Sequence, residues 1–427
     1  MRTYEEIIEN MFAALPMFQR IGAAAYKPDL SRTVWLMNLF DNPQNKFKSV
    51  HVAGTNGKGS CSHSIAAVLQ VAGYKTGLFT SPHLKDFRER IRINGEMIPK
   101  EKVVNFYECH KDLFDAEKIS FFEMTTALAF DYFAQEKVDM AVVEVGMGGR
   151  LDSTNTITPE LSIITNISLD HTQFLGDTLQ KIASEKAGII KDGVQTVIGE
   201  TQPETAPIFI EKASEIIFAD REYTVIPRDG AATNSWHFDV LKNKKLLYEN
   251  IKSDLSGISY QRKNMQTILC SLELLAKKFK RINEKAIRSG LENVTTLTGL
   301  KGRWQILPYP VLTIADTGHN FDGIALTLEQ IAATPHKNLH IVWGMVSDKD
   351  ISHILEILPK NATYYFCCPP LPRGLNETEL KKQAQEKNLH GNAYQSVQQA
   401  LQQALKNATP ADLIYIGGSN FVVAEVV

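Results

Sequence analysis

HVAGTNGKGS, residues 51–60, decides how this chain is read. A short apolar run over residues 48–53 leads into it, and SCSHSIAAVLQV, residues 60–71, leaves it with helical spacing and stops near Gly73. The order is strand, glycine loop, helix. Gly54, Gly57 and Gly59 surround Lys58. Glycines let backbone N–H groups approach phosphate oxygens, a lysine supplies a point charge, and the Ser60 hydroxyl can join the coordination shell of Mg²⁺. A glycine separates the lysine from the serine, so the stretch is a variant of the common G-x4-G-K-[ST] pattern. Nucleotide binding follows from it, and the reaction stays open.

Outward from the loop, strands are expected at residues 76–80, 139–145, 161–167 and 194–199, with helical patterns over 121–137 and 178–190 between them. Such alternation gives a mostly parallel α/β sheet. Residues 90–93 alternate charged and aliphatic side chains before Asn94-Gly95, the signal of a small hairpin, expected on the ligand side of the sheet. Upstream, Thr3 and Glu6 have capping-box spacing, and Ile7, Ile8, Phe12 and Leu15 recur at helical intervals. Downstream, residues 222–250 read as a small β excursion with turn signals around Asp229-Gly230, followed by helices over 261–280 and 283–290. A domain boundary is expected in the segment 295–302. Beyond Gly302 the α/β pattern restarts, with strands near 311–316, 339–344, 363–367 and 412–417 and helices around 324–333, 351–358, 378–386 and 397–405.

With 427 residues, 44% of them hydrophobic, the chain can bury a large core. A formal net charge of −2 gives no global electrostatic reason to bind nucleic acid or an anionic membrane, so a small-molecule partner is expected. The KKFKR run at 277–281 reads as cations complementing a helix C-terminus. Five cysteines, Cys61, Cys109, Cys270, Cys367 and Cys368, are odd in number and lack C-x-x-C spacing, which argues against a disulfide framework or a zinc site. MRTYEEIIEN lacks the apolar core of a signal peptide and no run approaches a membrane span, so a cytoplasmic location is expected.

G-T-N-G-K-G-S is the phosphate-loop form of the Mur ligase superfamily. TSPHLKDFRERIRIN at 80–94, FFEMTT at 121–126, EVGMGGRLDSTN at 144–155, SLDHTQFLGDTLQKIASEKAGIIK at 168–191, KGRW at 301–304 and DTGHN at 316–320 resemble blocks of its folylpolyglutamate/dihydrofolate synthase branch, in family order from Val52 to Asp350. The resemblance implies an α/β fold: a P-loop ATPase domain with a mostly parallel sheet, residues 1–297, and a smaller Rossmann-like C-terminal α/β domain, residues 298–427. ATP and substrates would bind in the cleft between them. It implies a monomer that phosphorylates the carboxylate of dihydropteroate or a folate with ATP and lets the amine of L-glutamate displace phosphate.

The resemblance also implies roles, residue by residue. Gly57, Lys58, Gly59, Ser60 and Cys61 would hold the nucleotide with Asn264, of a Q-x-x-N motif begun by Gln261, and with Arg303 and Asp316. Lys58, Lys186, Arg303 and His319 would serve catalysis, and Asn320 completes D-x-x-H-N. Ser60, Ser81, Glu144 and His171 match ligands of two Mg²⁺ ions. Phe121, Phe122, Glu123, Leu151, Asp152 and Ser153 align with a dihydropteroate pocket, where rings stack on a flat heterocycle. Lys186 aligns with a lysine that is carbamylated in many members, a change that turns an ammonium into a carboxylate. The assembled cations suit a transfer in which anions must meet. Two departures stand out: Tyr260 replaces the customary histidine before Gln261, and Phe321 follows Asn320 where proline is usual, removing a fixed φ. Competing readings are a Mur-type ligase for another acid and a nucleotide-binding regulator without catalysis.

Overall fold

A computed structural model of the chain describes residues 2–14, 29–228, 235–347 and 351–427. Leu15, the Asp229-Gly230 turn signal and Asp350 lie outside the described residues. The chain forms two compact units, one of residues 1–226, 238–252 and 263–299, the other of 227–237, 253–262 and 300–427.

The first unit is built on eight strands: β1 (Lys48–Ala53), β2 (Thr76–Phe79), β3 (Ile91–Ile93), β4 (Glu96–Met97), β5 (Met140–Glu144), β6 (Leu161–Ile164), β7 (Gln195–Ile198) and β8 (Glu215–Phe218). Their order is β4-β3-β2-β5-β1-β6-β7-β8. From β2 to β8 the pairs are parallel, and β3 and β4 add antiparallel at one edge. Val50, Val52, Val142, Val143, Ile163 and Ile164 are all buried, as a parallel sheet covered on both faces requires. Asn94 and Gly95 have φ of 49° and 82°, the paired left-handed conformation of a tight hairpin turn, so the expected hairpin forms and extends the sheet at its rim. β1 lies between β5 and β6, so the loops leaving their carboxyl ends open a crevice there.

The helix Lys58–Val71 starts two residues earlier than its apolar spacing shows, because Gly57 at φ 82° supplies the turn into it. It is buried from Gly59 to Leu69, and Gly290 of the helix Glu284–Glu292 packs against it so closely that an added Cβ would lie 2.6 Å from Val68 Cα. The N-terminal capping box is present, with Thr3 N–H donating to Glu6 Oε2 at 2.7 Å and Glu6 N–H to Thr3 Oγ1 at 3.2 Å. The helical pattern expected over 178–190 divides into the helix Leu179–Lys186 and a 3₁₀ turn, Ala187–Ile189. Among the helices that were not legible are Ser31–Leu39, the charge-rich Lys100–Ala116 and the short Ala206–Lys212. The expected β excursion is a three-stranded sheet, β9 (Tyr223–Pro227), β10 (Trp236–Lys242) and β11 (Lys245–Ser253), after which the helix Ile258–Lys278 begins.

The second unit carries β12 (Gln305–Leu307), β13 (Leu312–Ala315), β14 (Leu339–Trp343), β15 (Thr363–Cys367), β16 (Gly391–Tyr394) and β17 (Leu413–Gly417) in the order β12-β13-β17-β14-β15-β16. All pairs but β12–β13 are parallel. The chain is an α/β protein with a large, mostly parallel sheet and a second, smaller α/β sheet. Among the described residues, no helix is long and apolar enough to cross a membrane.

Candidate active site

The glycine loop is fastened from beneath by the residues that leave β6. Thr55 N–H donates to Asn166 O (3.0 Å), Asn56 N–H to Asn166 Oδ1 (2.8 Å) and Thr165 Oγ1–H to Asn56 O (2.5 Å). Gly54 must be glycine, since an added Cβ would lie 1.8 Å from Thr165 Oγ1; at Gly57 it would lie 2.3 Å from Asn264 Oδ1. Thr55 and Asn56 thus use their N–H groups on the scaffold. The first turn of the helix Lys58–Val71 has no intrahelical acceptors for its own N–H groups, which makes it the natural seat of an anion.

Two lysines converge on one carbonyl. Lys58 Nζ donates to Gly54 O at 3.0 Å and to Thr55 O at 3.1 Å, and Lys186 Nζ donates to the same Gly54 O at 2.9 Å. Lys186 is buried at the end of its helix. Burial, reinforced by the charge of Lys58, pushes its ammonium down to about 7, with Asp170 and Asp152 pulling the other way.

Glu144 ends β5, buried, and its Oε2 accepts the Ser81 N–H at 3.3 Å. Ser60 is buried in the first helical turn. His171 sits at φ 50° before the short helix Thr172–Leu175, its Nε2 4.0 Å from Asp170 Oδ1. Next to Glu144, burial lowers the Arg90 guanidinium to about 10 against the pull of Glu144 and Glu89. Arg90 Nε–H donates to His83 Nδ1 at 2.7 Å. Burial and that guanidinium push His83 down to about 3, so it is a neutral acceptor. Sequence reasoning assigned no role to Arg90, His83, Thr165 or Asn166. The signal available was a polar pair directly after an apolar strand and a block of alternating charges before a turn.

The residues aligned with a pterin pocket fall into two kinds. Phe121 is core, packed with Phe12 and Phe87 at centroid distances of 5.3 and 5.8 Å under the Arg90 guanidinium, and Glu123 closes a capping box with Ser120 while accepting from Arg32 Nη2 at 3.2 Å. Asp152 accepts from Thr154 N–H (3.0 Å), Thr154 Oγ1–H (2.5 Å) and Met147 N–H (2.9 Å), and burial pushes its carboxyl up against those bonds. It anchors its own loop. Ser153 is buried, 3.4 Å from Thr33 Oγ1. Phe122 and Leu151 are half-buried, and the Phe122 ring lies so close over Gly146 that an added Cβ would come within 2.4 Å of it.

In the second unit, buried Asp316 organises the turn after β13. Its Oδ2 accepts Tyr260 Oη–H and Trp304 N–H, both at 2.8 Å, and its Oδ1 accepts Gly318 N–H at 2.8 Å. Arg303 is half-buried with Nη1 3.3 Å from Gly302 O, and His319 Nδ1 is 3.0 Å from Thr317 O. Asn320 caps the helix Phe321–Ala333 through Gly323 N–H at 2.9 Å, so this cap, without proline, sets where the helix begins.

Residues 52–279 match the Mur ligase middle domain and residues 302–420 the Mur ligase glutamate ligase domain. A dihydrofolate synthase/folylpolyglutamate synthase of Bacillus subtilis is 34% identical over 377 residues, 85% of this chain and 86% of that protein. The chain belongs to the Mur ligase family. Within it the chain is an ATP-dependent ligase of the folylpolyglutamate/dihydrofolate synthase branch. The solved structure of E. coli FolC in complex with DHPP and ADP has a TM-score of 0.83 at 27% identity, covering 100% of this chain and 97% of that one. A bifunctional folylpolyglutamate synthase/dihydrofolate synthase of Yersinia pestis, complexed with AMPPNP and a Mn ion, has a TM-score of 0.82 at 26% identity, covering 100% and 97%.

The oxygens of the candidate donors suit a hard divalent cation. Among the described residues, no group of three or more His, Cys, Asp or Glu side chains is placed to hold a metal ion. The candidate set is one carboxylate (Glu144), two hydroxyls (Ser60 and Ser81) and one imidazole (His171). Mg²⁺ is commonly held in this way, through one or two carboxylates plus water and nucleotide phosphates.

Proposed function

We propose that this ligase joins L-glutamate to dihydropteroate and to the γ-carboxyl of tetrahydrofolates, in folate biosynthesis and polyglutamylation. The observation that carries the reading is the Lys58 ammonium held on Gly54 O and Thr55 O at the mouth of a phosphate loop, positive charge fixed where anions must meet. A pterin-acid carboxylate oxygen attacks the γ-phosphorus, the bond to ADP breaks, and an acyl phosphate forms. The amine of glutamate attacks the acyl carbon, phosphate leaves with the carboxylate oxygen, and the amine loses a proton. Gly57, Lys58, Gly59, Ser60, Cys61 and Asn264 hold the nucleotide. Ser60, Ser81, Glu144 and His171 hold Mg²⁺ at two sites, and the cation neutralises phosphate charge when bound. Arg303, Asp316 and His319 are the second unit's nucleotide and catalytic residues. Phe122 and Leu151 are the pterin contacts that the packing favours, with Phe121, Glu123, Asp152 and Ser153 behind them.

Lys186 is the candidate for carbamylation. A buried amine lowered to about 7 is largely neutral in mildly alkaline solution and can add carbon dioxide, forming an N–C bond and releasing a proton. The enzyme works in this reading as a cytoplasmic monomer on small molecules alone.

The test is product analysis with Mg²⁺, ATP, glutamate and each acceptor in turn. Dihydropteroate and tetrahydrofolate should each gain a glutamyl residue with stoichiometric ADP, whereas a cell-wall peptide precursor should leave ADP at background. ATP turnover indifferent to both pterin acids would reject the assignment.

A further inference from the structure

The contacts of Tyr260 go beyond those roles. Its phenol donates to Asp316 Oδ2 at 2.8 Å from the first turn of the helix Ile258–Lys278. Space for the ring is built in: Gly257, at φ 87°, would place an added Cβ 2.7 Å from Tyr260 Oη. The same Oδ2 accepts the N–H of Trp304, a bulky residue held at φ 47°. A left-handed tryptophan is strained and persists only where its surroundings over-determine it. The turn is fixed from both sides, since Thr317 N–H and Oγ1–H both donate to Gly302 O, at 3.0 and 2.9 Å. Arg303 lies between Gly302 and Trp304.

We infer that Tyr260 is a positioning residue: its hydroxyl sets the rotamer of Asp316, and through Asp316 and the Trp304 N–H it sets the turn that presents Arg303 to the nucleotide. The inference rests on the reading above that Arg303 and Asp316 serve ATP. Three donors, Tyr260 Oη–H, Trp304 N–H and Gly318 N–H, occupy three of the four lone pairs of the carboxylate, leaving one on Oδ1 for a ligand. The groups facing the phenol are Asp316, Arg303 and Tyr415, and burial with the Asp316 charge keeps the phenol protonated. A phenol therefore donates at every working pH, whereas an imidazole at this position would change charge between about pH 5 and 8.

The test compares wild type, Y260F and Y260H as full-length proteins, by ADP titration calorimetry and by steady-state kinetics from pH 6 to 9. Y260F should weaken ADP and raise the KM for ATP about tenfold, the scale of one hydrogen bond to a charged acceptor, with the KM for the pterin acid within about twofold. Y260H should keep most of the ATP affinity, since an imidazole carries an N–H donor whether charged or neutral, while adding an ionisation to kcat/KM for ATP that wild type lacks. Equal ADP affinity in wild type and Y260F would overturn the inference. So would a lowered melting temperature in Y260F with nucleotide parameters unchanged, which marks a purely structural tyrosine. A wild-type protein that binds ADP but glutamylates no pterin acid would break the functional reading instead, and the calorimetric comparison would still decide the role of Tyr260.

Discussion

Charge is handled in opposite ways in the two units of this ligase. At the glycine loop, two lysine side chains meet on a backbone carbonyl, and among the described residues neither Lys58 nor Lys186 forms an ion pair. At Asp316, one carboxylate is ringed by three neutral donors. The first arrangement holds donors ready for an arriving anion, and the second is satisfied but for one lone pair on Oδ1. Substitutions at the loop should therefore reach the chemical step, and substitutions around Asp316 should act through orientation and affinity.

The largest effect is expected at Lys58. In Lys58→Ala, kcat for acceptor-dependent ADP release should fall about 10³-fold, the scale of removing one preorganised charge from a phosphoryl-transfer site. A loss under tenfold would mean that the loop amides suffice. Next comes Glu144→Gln, for which we expect about a 10²-fold loss together with a higher half-saturating Mg²⁺ concentration. Unchanged metal dependence would remove Glu144 from the cation site.

A third expectation concerns pH and sharpens the contrast through stability alone. The Lys186 ammonium is lowered to about 7 in the folded protein, against about 10.4 for an unfolded lysine. Below pH 7 both states carry the proton and the folded state bears the full cost of a buried charge. Between the two values only the unfolded state keeps it, so stability should rise with pH, by about 2 kcal/mol from pH 7 to 9. Urea unfolding of bicarbonate-free protein at the two pH values measures this, and Lys186→Met should flatten the rise. The smallest effect belongs to the settled region: Asn320→Ala removes a helix cap and should cost about 1 kcal/mol in the same assay.

Much of the fold was readable because its signals are local. Glycine spacing placed the phosphate loop, Asn94-Gly95 placed a hairpin turn, and the apolar runs of β1, β5 and β6 marked strands buried on both faces. What escaped lacks such signals. Gly391–Tyr394 and Gln305–Leu307 are short edge strands that sit in the sheet through pairing with β15 and β13. Lys100–Ala116 is so charged that its apolar stripe, Val103, Val104, Phe106, Tyr107 and Phe114, is easily passed over. At the candidate site, sequence could name Lys58 and Lys186 but not their common acceptor, since Lys186 and Gly54 stand 132 positions apart in the chain. Asn166 escaped because it acts on backbone N–H groups, which leave no mark in side-chain patterns. Phe121 and Glu123 show the converse, since an aligned block cannot separate a pocket wall from the core behind it.

On the proposed function, the charge gathered at the loop serves transfer of a phosphoryl group onto a carboxylate. Dihydropteroate labelled with ¹⁸O in its carboxylate tests it most directly, through the mass of the inorganic phosphate released in a single turnover with ATP and glutamate. Attack by the carboxylate on the γ-phosphorus leaves one ¹⁸O atom in each phosphate formed. Unlabelled phosphate, released alongside glutamylated product, would contradict it.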